Sequence, residues 1–528
     1  MGGRGDIMPY LLGCDTGTGG AKSVVIDERG QVLGSHYVEY PLSIPRPGWA
    51  EQDPEDLWRG SAGAMRAAIE KAAVSPADIV AVGLSAQSPG CILIDSDRRV
   101  LRPLHIWMDR RATAQCDWIR QNIGVDWVRK VTGLSVVDPY FGLTKILWER
   151  DNEPELYCRA IKSLNQKDYI MMRMTGELAT DPCNAALMGI AYDYRRHDWD
   201  AGLLQALGLE RSKLPDVRGY EEVIGGVTAE AAAATGLLEG TPVVNGTVDG
   251  AAAWLSMGCI NPGDSVLTLG SSACWAVVHE VGEGKLQAGE VELSIPPGLL
   301  AIENVAAPHT FLTFSATNAA GASFRWFRDQ FGRQEMAEGA ERGLDPYDLL
   351  TAQAAQVPAG SEGLIVLPYF MGERMPIWDT EARGVIFGLS LNHTRGHVIR
   401  AIMEGVGYSV YHSVSIARAH GLEVRPPMAL VEGGAVSRLW RQIISDICGL
   451  DTAFMAGAQG APFGDAVIAG VATGVFTDYT VIKSWLRYSD YAHPDPERHA
   501  LYQKLFAAYL SLYQNVRVNY EQLKAIYP

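Results

Sequence analysis

Residues 10–27 pack an unusual set of groups between two apolar runs. After Tyr10-Leu11-Leu12-Gly13-Cys14 come Asp15-Thr16-Gly17-Thr18-Gly19-Gly20-Ala21-Lys22, and then Ser23-Val24-Val25-Ile26-Asp27. Small residues let backbone N–H groups approach an anion, and a carboxylate beside them can hold a metal ion against it. The turn is therefore suited to phosphate. It is not a P-loop: that motif needs Gly directly before the Lys and another Gly six residues before it, where this chain has Ala21 and Thr16. A P-loop also feeds a helix, whereas Ser23 leads into an apolar strand. A second carboxylate stands out in Pro242-Val243-Val244-Asn245-Gly246-Thr247-Val248-Asp249-Gly250. An apolar strand ends there and a helix of small residues begins at or just after Asp249, so the helix's positive end is expected to keep Asp249 ionised. An ionised, positioned Asp can accept a proton from a hydroxyl that attacks phosphorus. From position alone, the reading of Asp249 as an ordinary N-cap is the favoured one, and its role as base depends on the wider pattern.

These groups need elements to hold them. Strands are expected at 10–15, 22–27, 31–39, 79–84 and 91–95, with an amphipathic helix over 54–72 that opens at Asp53-Pro54, a capped start with Pro in the first turn. The alternation implies a parallel or mixed sheet covered by helices. Residues 109–180 read as more helical and irregular. A second strand-turn-strand, Asp264 to Val278 around Gly270-Ser271-Ser272, echoes the first roughly 250 residues later. Alone it is an ordinary hairpin; beside the first it suggests a duplicated fold with phosphates pinched between two halves. The expected fold is thus α/β, two actin-like (ribonuclease H-like) ATPase domains forming a clamshell with a central cleft. The breaker-rich Gly258-Cys259-Ile260-Asn261-Pro262-Gly263 sets the expected boundary, giving domains 1–258 and 259–528.

The composition sets limits. The 528 residues are 47% hydrophobic and 20% charged, with a net charge of −16 and no long basic run. Nucleic acid and anionic membrane are unlikely partners for such a surface. Eight scattered cysteines with no Cys-x-x-Cys pair argue for a reduced, cytoplasmic compartment. No charged-then-apolar leader or long apolar run is present, so secretion and spanning are disfavoured. Arg4-Gly5-Asp6 reads as a tail.

Longer motifs add a resemblance. Gly384-Val385-Ile386-Phe387-Gly388-Leu389 followed by His397-Val398-Ile399-Arg400-Ala401-Ile402-Met403-Glu404-Gly405 resembles the long C-terminal motif of the FGGY carbohydrate kinases. Tyr140-Phe141-Gly142-Leu143-Thr144-Lys145-Ile146-Leu147-Trp148 resembles the family's other motif, with Gly142 where Pro, Ser or Thr is usual. Pro47-Gly48-Trp49, Trp107-Met108-Asp109-Arg110-Arg111, Lys167-Asp168-Tyr169, Gly372-Glu373-Arg374-Met375-Pro376 and Glu432-Gly433-Gly434-Ala435-Val436-Ser437 agree in order over residues 10–475. Much of the long motif is core by its own pattern, since residues 398, 402, 406 and 410 form an apolar stripe. The Gly433-Gly434-Ala435 run lets backbone approach a flat base, or is a plain strand-to-helix turn.

The resemblance implies a soluble kinase with ATP and Mg as cofactors, acting on a small sugar, its assembly open with a homodimer as one option. By it, Asp15 would lie near the metal and the transferred phosphate, and Thr16, Gly17 and Thr18 would line the phosphates. Lys22 would be an electrostatic clamp or, on the plainer reading, a solvated strand residue. Gly270, Ser271, Ser272, Gly321, Gly433, Gly434, Ala435 and Ser437 would hold the other side of ATP. Asp249 would be the general base, with Gln87, Ser88, Trp107 and Asp109 beside the substrate. The motifs are most similar to those of bacterial xylulokinases, which makes D-xylulose the first substrate. Pro89 and Gly250 depart from that pattern, where a His and an Asn are usual, so a different ketose, polyol or linear hydroxyketone stays open. The Arg-Glu pair of glycerol kinases is missing from Gln87–Gly90. Two other classes compete: a non-catalytic ATP- or sugar-binding regulator on the same fold, and a chaperone-like ATPase.

Overall fold

Two seven-stranded sheets organise the described residues, 9–281 and 295–526, of this computed structural model. The Arg4–Asp6 tripeptide lies outside them.

The first sheet begins with an antiparallel meander, β1 (Tyr10–Thr16), β2 (Gly20–Ile26) and β3 (Val32–Glu39). Helix α1 (Pro54–Ala72) covers it. Asp53 caps that helix by accepting a hydrogen bond from Glu55 N at 2.9 Å, and Pro54 supplies the fixed φ of the first turn. Leu57, Met65, Ala68 and Ile69 recur at helical spacing and are buried against β2 and β3. β4 (Ile79–Ala86) then returns parallel to β1. After a helical stretch, β5 (Val223–Gly226), β6 (Pro242–Val244) and β7 (Thr247–Val248) complete the sheet, with β6 and β7 parallel to β4. Helix α2 (Asp249–Ser256) follows directly.

The second sheet repeats the plan. β8 (Ser265–Leu269), β9 (Ala273–Glu280), β10 (Leu300–Glu303) and β11 (Thr310–Thr317) are antiparallel. Helix α3 (Gly321–Phe331) and the long helix α4 (Arg395–Ala419) come next. α4 buries Ile402, Val406 and Val410, the stripe read from the sequence. β12 (Met428–Val431) lies parallel to β8, and β13 (Thr452–Met455) parallel to β12. In both sheets an antiparallel meander therefore meets parallel strands at its first strand, which is the duplication expected from the two turns.

One helix ties the halves together. α5 (Ala461–Ala472) follows β13 but packs against β1, β4 and α2 of the first half, before β14 (Tyr488–Ala492) closes the second sheet. A cut at 258/259 separates the two sheets but not this packing. The approach is backbone to backbone: a β-carbon on Gly13 would overlap the Pro462 carbonyl, one on Gly83 the Asp465 carbonyl, and one on Gly464 the Ala252 carbonyl. Gly13→Ala should therefore push α5 off the sheet and cost about 3 kcal/mol or more. Thermal melting checks this; a variant that melts with the parent would contradict the contact.

Candidate active site

The parallel pairing brings the two carboxylates singled out above to one edge. Asp15 stands opposite Ser85 in the β1–β4 register, and Thr247 stands opposite the same Ser85 from β7, two residues before Asp249. Asp15, Ser85 and Asp249 thus gather at the carboxyl ends of three parallel strands, where open α/β sheets place their ligands. Asp249 is the first residue of α2, after Val248 as the cap, so it is not an N-cap. Its one hydrogen bond comes from Gly250 N, at 2.6 Å.

The electrostatics correct one expectation. A helix end favours an anion by about 0.3–1 kcal/mol, but Asp249 is half-buried and faces Asp15. Burial first, and the Asp15 charge second, push its carboxyl well above the ordinary range. Burial also raises Asp15, against a hydrogen bond from Ser85 and the pull of Lys22. Lys22 lies directly across the β1–β2 ladder from Asp15. The helix end is thus outweighed at Asp249 by burial and by the Asp15 charge, both of which favour the neutral carboxyl.

A third carboxylate joins from α5. Ser85 Oγ lies 2.7 Å from Asp465 Oδ2 and 3.0 Å from Asp15 Oδ1. The single hydroxyl proton can serve one of them at a time. Asp465 is fully buried, and its Oδ1 has no hydrogen-bond partner among the described residues. No sequence pattern pointed to it, because its neighbours in space lie 380 and 450 positions away along the chain.

The phosphate turn is wired to the neighbouring Gln87 loop. Thr18 Oγ1 donates to Gln87 Oε1 at 3.0 Å and accepts from Trp107 Nε1 at 3.0 Å. Gln87 Nε2 donates to Gln52 Oε1 at 2.6 Å, and Gln52 Nε2 returns to the Thr18 carbonyl at 2.8 Å. Beside them Ser88 Oγ is buried and, among the described residues, without a partner, and Tyr140 OH donates to the Ser88 carbonyl at 3.4 Å. A buried orphan hydroxyl is costly unless a ligand satisfies it. Arg374 roofs this pocket from the second half, its guanidinium 4.7 Å from the Trp107 ring centroid. Its Nε donates to Asn318 Oδ1 at 2.8 Å, while Asn318 N donates to the buried Glu373 at 2.8 Å.

Several expected roles change. Thr16 does not face a phosphate: its hydroxyl shares a 2.8 Å hydrogen bond with Ser61 of α1, buried between helix and sheet. Asp109 does not face a sugar. Its Oδ1 accepts from Arg111 N at 3.0 Å and its Oδ2 from Ala50 N at 2.7 Å and Arg111 Nη2 at 2.7 Å, which uses both oxygens. Asp109 anchors the segment that carries Trp107.

Across the second sheet a cavity of about 580 Å³ opens between the β8–β9 turn and α3. Gly270, Ser271, Gly321, Gly433, Gly434 and Ser437 line it. Ala435 instead turns into the core beneath, fully buried, and Ser272 sits beside Cys274 outside the lining. Phe324, Tyr347 and Trp440 wall the cavity with aromatic surface that sequence reasoning did not assign. Gly321 N donates to the Gly270 carbonyl at 2.8 Å, so α3 starts against the turn itself.

Comparison with known proteins decides the family. The models of the FGGY family of carbohydrate kinases match residues 10–256 with the N-terminal domain and 266–473 with the C-terminal domain. The chain belongs to the FGGY family of carbohydrate kinases. It is similar to the xylulose kinase of Escherichia coli (strain K12), 32% identical over 96% of this chain and 99% of that one. Two solved structures are alike throughout. The xylulose kinase from Rhodospirillum rubrum has a TM-score of 0.86 at 27% identity over 97% of this chain and all of that one. The gluconate kinase from Lactobacillus acidophilus has 0.87 at 25% over 98% of this chain and all of that one. As an FGGY kinase, this is an ATP-dependent enzyme that phosphorylates a sugar, on the two-domain actin-like ATPase fold. Among the described residues no helix is long and apolar enough to cross a membrane.

The site suits a divalent metal. Asp15 and Asp249 are hard oxygen donors with too little positive charge around them, and among the described residues no third ligand completes a protein cage. Magnesium takes this form of site, one or two carboxylates plus phosphate oxygens. The carboxylate pair also predicts a pH dependence. Both folded-state carboxyls titrate above the ordinary 3.8, so ionising them costs stability. That cost is absent near pH 4, grows as pH rises through the raised values, and is full above them. Asp249→Asn should therefore raise the melting temperature of ligand-free protein near pH 8 and change it little near pH 4. A lower melting temperature at pH 8 would mean the pair does not repel.

Proposed function

We propose that this FGGY kinase phosphorylates a hydroxyl of a small open-chain ketose, a ketopentose such as D-xylulose first, with Asp249 as general base. The observation that carries the reading is the convergence of Asp249, Asp15 and the Thr18–Gln87–Trp107 network beside a glycine-lined cavity. The likeness to xylulose kinases over the whole chain supports the substrate class.

ATP would occupy the cavity, its base toward Tyr347 and its phosphates against the Gly270-Ser271 turn. Magnesium would be held by Asp15 together with the phosphates, and the chemistry it supplies is neutralisation of charge. Within that arrangement Asp249 takes the proton of the attacking hydroxyl, at a carboxylate whose raised pKa makes it a stronger base than a surface Asp. Ser88 Oγ supplies a hydrogen bond to the sugar from an otherwise orphaned position. Phosphoryl transfer then depends on alignment and charge more than on covalent help. Closing Arg374 over Trp107 excludes water that would otherwise take the phosphoryl group.

A specific observation favours a second reading. Among the described residues Arg374 is hydrogen-bonded through its backbone N and Nε, which leaves its terminal nitrogens available to the pocket. A guanidinium there suits the carboxylate of an aldonic acid, and a gluconate kinase is among the proteins of like structure.

The test is ADP release with ATP and Mg²⁺ against D-xylulose, L-xylulose, D-ribulose, polyols, short hydroxyketones and gluconate. A ketopentose should give the highest turnover, and Asp249→Ala should lower it by about 10²- to 10⁴-fold. Gluconate as the best substrate, with Arg374→Ala raising its KM most, would establish the second reading. A panel with no active sugar would remove both.

A further inference from the structure

The residue before the paired glycines of the nucleotide cavity is a glutamate in a backbone conformation made for glycine. Glu432 ends β12 with φ 73° and ψ −175°. That region is essentially reserved for glycine, because a β-carbon meets its own backbone there. Strain of this kind persists when the surroundings hold the residue in place, and it collects at functional sites.

The side chain has a definite destination. A β-carbon added at Gly270 would overlap Oε2 of Glu432, so the carboxylate lies over the turn expected to hold phosphate. Glu432 also lines the cavity beside Gly270, Ser271 and Gly433. Among the described residues no group donates a hydrogen bond to this carboxylate and no Lys or Arg pairs with it. Arg325, the cation in the same cavity, is spent 3.1 Å from Ser271 Oγ.

An unpaired carboxylate on a phosphate turn is a contradiction unless something positive comes between them. Glu432 is exposed, so water and salt screen it in part, yet a bare triphosphate seated on the Gly270-Ser271 turn would face it anion to anion. A nucleotide that carries a hydrated divalent cation brings both positive charge and water hydrogens, which a carboxylate accepts. We propose that Glu432 makes nucleotide binding conditional on the metal: its carboxylate repels the metal-free triphosphate and accepts hydrogen bonds from the water shell of the metal–nucleotide complex. The inference rests on the reading of this cavity as the ATP site. Its effect is protective as well, since the site would not fill with metal-free nucleotide that cannot react.

The test is calorimetric titration of the full chain with ATP, once with excess Mg²⁺ and once with a chelator, for the parent, Glu432→Gln and Glu432→Gly. The parent should bind MgATP far more tightly than metal-free ATP. Both variants should shrink that ratio by about tenfold, chiefly by tightening the metal-free complex. Glu432→Gly should also melt higher than Glu432→Gln, because glycine relaxes the backbone while both remove the charge. An equal loss of affinity with and without Mg²⁺ would mean that Glu432 accepts from a ribose hydroxyl, and would overturn the proposal. Unchanged affinities in the variants would overturn it too. Failure of the parent to bind ATP under either condition would remove the nucleotide reading of the cavity, and this inference with it.

Discussion

The structure turns on keeping negative charge together where water is scarce. Three parallel strand ends and one crossing helix bring Asp15, Asp249 and Asp465 to a buried edge whose nearest compensation is Lys22 and one serine hydroxyl. Burial raises the carboxyl of each, and repulsion from a neighbouring carboxylate adds to it for Asp249 and Asp465. The arrangement is poor for the stability of the empty protein, since buried unpaired charge is among the costliest things a fold can hold. It is well matched to a ligand that arrives with a cation. The same repulsion that raises Asp249 makes its carboxylate hold a proton more tightly.

Such a site needs rigid walls, and the glycines of the first sheet provide them. Gly13, Gly83 and Gly464 let α5 lie directly on β1, β4 and α2, with no side chain between the backbones. Asp465 therefore reaches Ser85 from a segment of the chain that otherwise serves the second sheet. The two halves are joined under the catalytic edge as well as across its mouth. A movement of the second half must either carry α5 with it or bend the chain on either side of α5, so the base of the cleft is fixed while its rim can close.

Much of this was legible along the chain, and the reason is local physics. The meander strands, the capped helix at Pro54 and both phosphate turns follow from periodicity, capping and turn chemistry, each confined to a few neighbouring residues. What stayed hidden depends on contacts between distant segments. Thr16 carries a phosphate-like pattern, yet its side chain alternates inward along β1 and meets Ser61. Asp109 has the look of a sugar ligand, but Arg111 two residues on folds back and occupies it. Asp465 and Arg374 offered no local signal of their roles, since their partners are supplied by the other half. Glu432 was visible as part of a motif, but only its backbone angles and the path of its side chain over Gly270 make it a candidate for function.

The wiring between the phosphate turn and the Gln87 loop carries a last consequence. Thr18 is bound at its hydroxyl by Trp107 and Gln87 and at its carbonyl by Gln52, so the turn cannot shift without disturbing the loop that holds Gln87 and Ser88. Trp107 in turn carries Arg374 of the second half on its face. Gln87 and Trp107 thus lie on one hydrogen-bonded path with Thr18, and Arg374 joins that path to the second half. In an FGGY kinase, a closure that had to set such a network would favour the sugar over water, because a water molecule entering alone makes none of these contacts.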